Sequence, residues 1–498
     1  MSGVSYLELL RLAAPETIMV LTVLVVLAAD LFALGGLELR FRLLIGGMIS
    51  CVGCAAAIAW MLALPQHATF LEGMLVVTPL TQFIKVGLLV LTILTIVITV
   101  DTDFTTHVGE YFALILLAAV GMMFLVSSED ILMIFISLEL TSLSLYILTA
   151  FNKRSPKSAE AALKYFLFGG MSAAVTLFGL SLLYGLSGAT NLGQIAAAIK
   201  APKLDPLLVL AIVMTVTGFG FKVAAVPFHL WAPDAYEGAP APSAAFIASG
   251  SKVAGFFILA RVTMLGFQGA EGSGAWHGYL PGWVPLLAIL ATASMVLGNL
   301  AAIVQSSVRR LLAYSAIAHA GYMLLGILPH GDQGLAALVY YVITYGLSTL
   351  GAFGVVSIVE GRAGGGRLSD FAGLSRRAPV LSFCMLIFML SLAGVPPLAG
   401  FFGKFYVFAS ALNANAANLS LLWLAVVALA MSAVSLYYYL QVLKQIYIAE
   451  PGLGTAPMPT PVLTQVTVVL LALTVVVLGC MPNLLLGPLL SAIHAAGS

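Results

Sequence analysis

Charge is what this 498-residue chain has least of. Lysine, arginine, aspartate and glutamate together make up 8% of it, against roughly a quarter in an average soluble domain. Hydrophobic residues make up 61%, so water is not the main solvent, and no polar stretch is long enough for a domain outside a bilayer. The formal net charge is +1 and no lysine/arginine-rich run occurs, which excludes the clustered cations of a nucleic-acid partner. There are only four cysteines, Cys51, Cys54, Cys384 and Cys480, all in apolar sequence. That argues against a disulfide framework, and Cys51-Val-Gly-Cys54, lacking a second pair or a nearby histidine, reads as structural rather than as a redox or metal pair. Histidines and carboxylates show no metal-ligand spacing. Gly364-Gly365-Gly366 lacks the strand–turn–helix setting of a nucleotide site, so no cofactor and no metal is expected in this chain. The first apolar run has neither a basic n-region nor a small-residue cleavage site and reads as a retained helix.

What is present is a series of apolar runs of about 20 residues, the length a helix needs to cross the hydrocarbon. Cutting at polar and Pro/Gly-rich breaks predicts about fourteen spans, near 14–34, 43–64, 79–100, 109–126, 130–151, 160–187, 205–231, 241–266, 284–305, 310–328, 333–359, 379–411, 420–447 and 462–484. The ten-residue alternation of barrel strands is absent. The expected fold is therefore an all-α polytopic membrane protein, a single membrane domain over 1–498. With the N-terminus outside, the odd-numbered connections carry twelve basic residues, from Arg40 to Lys444, and the opposite side only Arg11, Lys200 and Lys203. The positive-inside rule then places both termini in the periplasm of a bacterial inner membrane.

Six basic residues fall inside predicted spans: Lys85, Lys164, Lys222, Lys252, Arg261 and Lys404. A lysine at a helix centre costs about 2.5–3.5 kcal/mol on insertion scales, so each is a functional hypothesis. Lys85 and Arg261 lie near span ends, where they are expected to snorkel toward headgroups; Lys164, one turn inside its span, could do the same. Lys222, Lys252 and Lys404 are deeper. Glu139 lies mid-span in Ile131-Leu-Met-Ile-Phe-Ile-Ser-Leu-Glu139-Leu-Thr-Ser-Leu-Ser-Leu-Tyr146 and must be protonated or paired. A buried Glu139/Lys222 couple can change protonation state as its separation or hydration changes, which is the chemistry of a proton relay. A static ion pair fixing helix register is the alternative.

Two spans carry breaks beside a lysine: Gly218-Phe-Gly220-Phe-Lys222-Val-Ala-Ala-Val-Pro227-Phe-His229 and Gly394-Val-Pro396-Pro397-Leu-Ala-Gly400-Phe-Phe-Gly403-Lys404. Proline removes a donor and clashes with the preceding turn, so helices 7 and 12 are expected to be broken at mid-depth, where protein or water must satisfy the freed backbone. The breaks are five spans apart, an odd number, so the two helices cross in opposite directions. The expected organisation is three N-terminal helices (1–104), a five-helix repeat (105–268, spans 4–8), a second, inverted five-helix repeat (284–450, spans 9–13) and a C-terminal helix (451–498), as in some secondary transporters. His229 can shuttle protons near neutral pH or simply pack at the interface, and His319 is equally ambiguous.

These residues resemble a known family. The Glu139 motif, Ala161-Ala-Leu-Lys164-Tyr, Phe221-Lys222-Val-Ala-Ala-Val-Pro227-Phe-His229-Leu-Trp231-Ala-Pro-Asp234-Ala-Tyr236-Glu-Gly238-Ala-Pro240 and the Gly394–Lys404 segment are similar to those of the antiporter-like membrane subunits of respiratory NADH:quinone oxidoreductase (complex I), most closely the subunit N family. The likeness covers nearly the whole chain. It departs from the family at Ser144, where proline is common, and at the doubled proline 396–397. It implies proton translocation along Glu139, Lys222, Lys252 and Lys404, with Lys164 a further lysine of the path and His229 in the motif. Quinone reduction elsewhere in the complex would drive it, with FMN, iron–sulfur clusters and quinone held by other subunits, and the remaining membrane-arm subunits as partners. The alternatives are a subunit of a cation/proton antiporter or membrane-bound hydrogenase, and a structural membrane subunit without a proton path.

Overall fold

The structure is a computed structural model and describes residues 6–63, 67–199, 205–275, 278–413, 421–450 and 457–497. Lys200 and Lys203, two of the three basic residues assigned to the outer side, lie outside the described residues. The N-terminal part holds α1 (Tyr6–Leu12), α2 (Ala14–Ala28), α3 (Leu39–Ala63), a small antiparallel hairpin of β1 (Ala68–Phe70) and β2 (Leu75–Val77), and α4 (Pro79–Val100). Next come α5 (Val108–Val126), α6 (Ile131–Thr149), α7 (Pro156–Ser187), α8 (Leu192–Ala198), α9 (Pro206–Val223), α10 (Trp231–Gly238), α11 (Ala241–Ala248) and α12 (Gly250–Arg261). The second half has α13 (Trp283–Ile303), α14 (Val308–Leu324), α15 (Asp332–Ala363), α16 (Leu374–Arg377), α17 (Pro379–Ala393), α18 (Ala399–Asn413) and α19 (Leu422–Tyr447). The chain closes with α20 (Val462–Cys480) and α21 (Asn483–Gly497).

Local chemistry sets where the helices begin. Thr78 makes a reciprocal capping box with Thr81 ahead of Pro79, Asp130 accepts from the amides of Leu132 and Met133, and Asp205 caps α9 ahead of Pro206. Each satisfies amides that a helix start leaves open.

Twelve helices among the described residues are long and apolar enough to cross a membrane. Two of the fourteen predicted spans are built differently: 310–328 becomes the 17-residue α14, and 379–411 splits into α17 and α18. The seventh span likewise ends early, because α9 stops at Val223 and the chain bends before α10. The eighth, buried throughout, carries a break that the sequence reading did not foresee, at Ser249 between α11 and α12 and next to Gly250. The hairpin and α21, which packs on α4 and α15, have no counterpart in the sequence reading. α15 is buried over nearly its whole length between the two halves and the C-terminal helices.

The two proline breaks share a layout. α9 ends on Ala224 and α17 on Gly394, both left-handed, and each is followed three residues later by a proline, Pro227 or Pro397. Side chains satisfy the freed backbone groups: Ser294 accepts from the Val226 amide at 2.9 Å, Trp231 Nε1 donates to the Phe221 carbonyl at 3.0 Å, and Ser391 Oγ accepts from the Gly400 amide at 3.2 Å. Irregular backbone survives at membrane depth only with such partners.

Candidate functional site

Lys222 comes just before the first proline break and Lys404 shortly after the second. Lys222 lies in the last turn of α9, 5% exposed, and its Nζ donates to Ser142 Oγ on α6 at 3.0 Å. Glu139 is one turn earlier on α6, half-buried, and makes no ion pair within 4.0 Å among the described residues. The direct Glu139/Lys222 pair expected from the sequence is therefore not formed. The offset is along the helix axis: Ser142 lies one turn beyond Glu139 on the same face, and it is Ser142 that stands level with the Lys222 ammonium. Lys222 still bears on Glu139 electrostatically, as does Glu139 on Tyr146, one turn beyond Ser142.

The stem of Lys222 runs beside Gly255 of α12, one turn beyond Lys252. Lys252, 2% exposed, donates to the Ala316 carbonyl of α14 at 2.6 Å, with its Nζ 5.7 Å from the Tyr345 ring centre. One turn further along α14, His319 lies fully buried between two tyrosines, with Nδ1 2.8 Å from Tyr341 Oη and Nε2 3.1 Å from Tyr439 Oη. Both Lys252 and Lys404 act on it electrostatically. Lys404, 4% exposed, lies in α18, yet its side chain reaches back across the break. Its Nζ donates to the Ala393 carbonyl and to Ser432 Oγ, each at 2.9 Å, and lies 5.0 Å from the Tyr322 ring centre. Asn299 joins Tyr322 to Tyr438. Lys222, Lys252, His319 and Lys404 thus form one buried row, and Lys222, His319 and Lys404 each touch a hydroxyl that can both give and accept a proton.

The sequence left His319 ambiguous and missed the tyrosines around it. The available signal was the spacing of Tyr341 and Tyr345, one turn apart in an apolar helix.

Lys164 stands apart from this row. It is half-exposed on α7 and pairs with Glu160 at 2.7 Å and with Asp234 of α10 at 2.8 Å. Arg310 of α14 reaches the same α10 carboxylates, Asp234 at 2.6 Å and Glu237 at 3.2 Å, and Lys157 meets Glu237 at 3.8 Å. Burial pushes the Asp234 carboxyl up, but its bonds and charge interactions with Lys164 and Arg310 outweigh this and hold it below the usual carboxylate range. His229 is buried at the α9–α10 bend with Nδ1 unpartnered among the described residues. Among the described residues no hydrogen bond joins it to a lysine of the row.

Lys85 is a correction. It does not snorkel: it is 2% exposed and paired at 2.5 Å with Glu16 of α2, itself 1% exposed. A span-end position marks a lysine as an anchor only if no acid waits on a neighbouring helix. Arg261, partly exposed, pairs with Glu129.

A cavity of about 1390 Å³ opens at one end of the molecule. All its lining residues come from the seven odd-numbered connections and the helix ends beside them, so those connections share one face. Glu237 to Pro242, and Ser357 to Arg362 at the end of α15, form part of its wall.

Residues 128–432 match the family described as NADH:quinone oxidoreductase/Mrp antiporter, TM. The chain belongs to that family. Among its relatives, the NADH-quinone oxidoreductase subunit N 2 of Acidobacterium capsulatum is 52% identical over 495 residues, covering 98% of this chain and 99% of the other. A chain of respiratory complex I from Thermus thermophilus, solved with bound aureothin, superposes with a TM-score of 0.79 at 35% identity, covering 97% of this chain and 100% of that one. The Mrp complex of Dietzia sp. DQ12-45-1b holds a chain of the same fold, with a TM-score of 0.80 at 20% identity and coverage of 98% and 97%. The family's matched segment spans Glu139 and every member of the buried row.

Proposed function

We propose that this chain is a proton-translocating, antiporter-like subunit of a bacterial respiratory NADH:quinone oxidoreductase, working beside other membrane-arm subunits. The observation that carries this reading is the buried row Lys222, Lys252, His319, Lys404, flanked by Glu139. It supplies ionisable groups at hydrogen-bond spacing from neutral partners across the membrane's middle, where charges are otherwise costly. The high identity to a subunit N relative over nearly the full length favours this over a cation/proton exchanger. Quinone reduction and its FMN and iron–sulfur centres belong to other subunits. Chain topology is read as fourteen crossings, counting α14 and the α17–α18 pair. They are organised as two inverted five-helix units over 105–268 and 284–450, with both termini periplasmic and the cavity facing the cytoplasm. A cysteine at Ser498, in an otherwise cysteine-free variant, should react with an impermeant reagent from the periplasmic side; reaction from the cytoplasmic side alone would overturn the orientation.

Glu139 acts on Lys222 at a distance, with Ser142 holding the lysine between proton transfers. Glu139→Gln and Lys222→Met should each abolish most NADH-driven proton uptake into vesicles, normalised to assembled complex. The double variant should be little worse than either single, because coupled residues are non-additive. Glu139→Asp should retain part of the activity. Wild-type pumping per NADH in both single variants would refute the relay. Losses that multiply in the double variant would mean that the two residues act separately.

A further inference from the structure

The row needs a supply of protons, and the structure holds an unusual set of buried hydroxyls between Lys252 and the large cavity. Tyr236 of α10 and Tyr345 and Thr349 of α15 are at most 2% exposed, and the oxygen of each lacks a hydrogen-bond partner among the described residues. Nine in ten or more buried polar groups in folded proteins are partnered, so three unpartnered oxygens together mark a place built to receive something polar. They lie together: Tyr345 Oη is beside Thr349 Oγ1 without reaching hydrogen-bond geometry, and Tyr236 and Tyr345 are close enough to interact electrostatically. At one end of the set, the Tyr345 ring lies 5.7 Å from Lys252 Nζ.

At the other end is the cavity. On α15, Tyr341, Tyr345, Thr349, Phe353 and Ser357 follow one another at four-residue steps, so each side chain stands one turn from the next. Tyr341 bonds His319, and Ser357 lines the cavity wall. Tyr236 lies one residue before the stretch of chain that forms another part of that wall. The one apolar member of the row is Phe353, fully buried, its ring edge-on to Tyr236 with centres 6.0 Å apart.

We propose that protons enter from the cavity along α15 and reach Lys252 through the hydroxyls of Tyr236, Thr349 and Tyr345, and that the Phe353 ring is the stopper at the head of this path. A hydroxyl both donates and accepts. Each takes a proton on the cavity side as it gives one on the lysine side, then turns back, so that no oxygen is left charged and Lys252 is the group that ends protonated. Water can bridge the gaps between hydroxyls, while the aromatic ring interrupts the chain where the cavity would otherwise join it. This entrance rests on the reading of Lys252 as a relay residue.

The test uses the assembled complex in inverted membrane vesicles, whose outer surface is the cytoplasmic face, and a variant without the four native cysteines. Thr349→Cys should react slowly with 2-aminoethyl methanethiosulfonate while Phe353 is present, and several-fold faster when it is combined with Phe353→Ala. Phe353→Val gives the same comparison should alanine prevent assembly. In the cysteine-containing protein, Tyr345→Phe and Thr349→Val should each lower pumping per NADH several-fold, whereas Phe353→Leu, which keeps an apolar stopper, should pump normally. Equal labelling rates with and without the Phe353 ring, or wild-type pumping in both hydroxyl variants, would overturn the entrance. Lys252→Met is run alongside: its loss of pumping while the hydroxyl variants pump normally discards the entrance and leaves the relay standing, and wild-type pumping by Lys252→Met discards the relay itself.

Discussion

At the scale of single residues, the decisive property is what each buried charge touches. Lys222, Lys252 and Lys404 rest on a serine hydroxyl or a main-chain carbonyl, neutral partners that leave the lysine free to lose its proton. Lys85 rests on a carboxylate and is held as a fixed ion pair. Removing one member of a buried pair strands the other charge, at a cost of about 3–5 kcal/mol. Lys85→Ala should therefore lower the thermal stability and the yield of assembled complex, and Glu16→Gln combined with Lys85→Met should recover most of both. An Lys85→Ala protein as stable as wild type would show that the pair contributes nothing. The three deep lysines and Glu139 were legible in the sequence because each interrupts an apolar run. The Glu16–Lys85 pair was not, because its members are far apart in sequence and only the packing of α2 near α4 unites them. The sequence could likewise name Glu139 and Lys222 as neighbours, but not that Ser142 would face the lysine in place of the acid.

At the scale of elements, the breaks decide where a lysine can point. Gly394 is left-handed, with φ +87°, and a Cβ there would lie 2.9 Å from Lys404 Cδ. Alanine would thus add a conformational cost of roughly 1–2 kcal/mol and push Lys404 away from the Ala393 carbonyl. Gly394→Ala should impair proton uptake severely, whereas Gly487→Ala in α21, where a Cβ meets nothing within 4 Å, should leave it intact. Equal pumping by the two would remove the break from the mechanism. Both proline breaks could be read from their Gly and Pro spacing. The break at Ser249 was missed, since it has no proline and its only signal is Gly250 between two serines. α15, the element that joins His319 to the cavity, looked like any other apolar span because its polar members are one turn apart and neutral.

At the scale of the whole molecule, the alternation of faces was readable from basic residues alone, and the meeting of seven odd-numbered connections around one cavity agrees with it. The short helix α21 and the hairpin before α4 escaped the sequence reading, since neither is long enough to register as a span. Charge is concentrated at α10, which carries Asp234 and Glu237. Lys157 and Lys164 hold it from α7, Arg310 holds it from α14, and Arg309 Nη1 donates to the Glu237 and Ala239 carbonyls at 3.1 and 2.6 Å. α10 is thus pinned to α7 on one side and to α14 on the other, and in the proposed two-unit layout these belong to different units. Tilting α7 against α14, the kind of motion by which many carriers expose a site first to one side and then to the opposite one, would strain all of these bonds together. Under the proposed relay no such tilt is needed: the frame stays as it is, and what moves is the proton and the few side chains that hand it on.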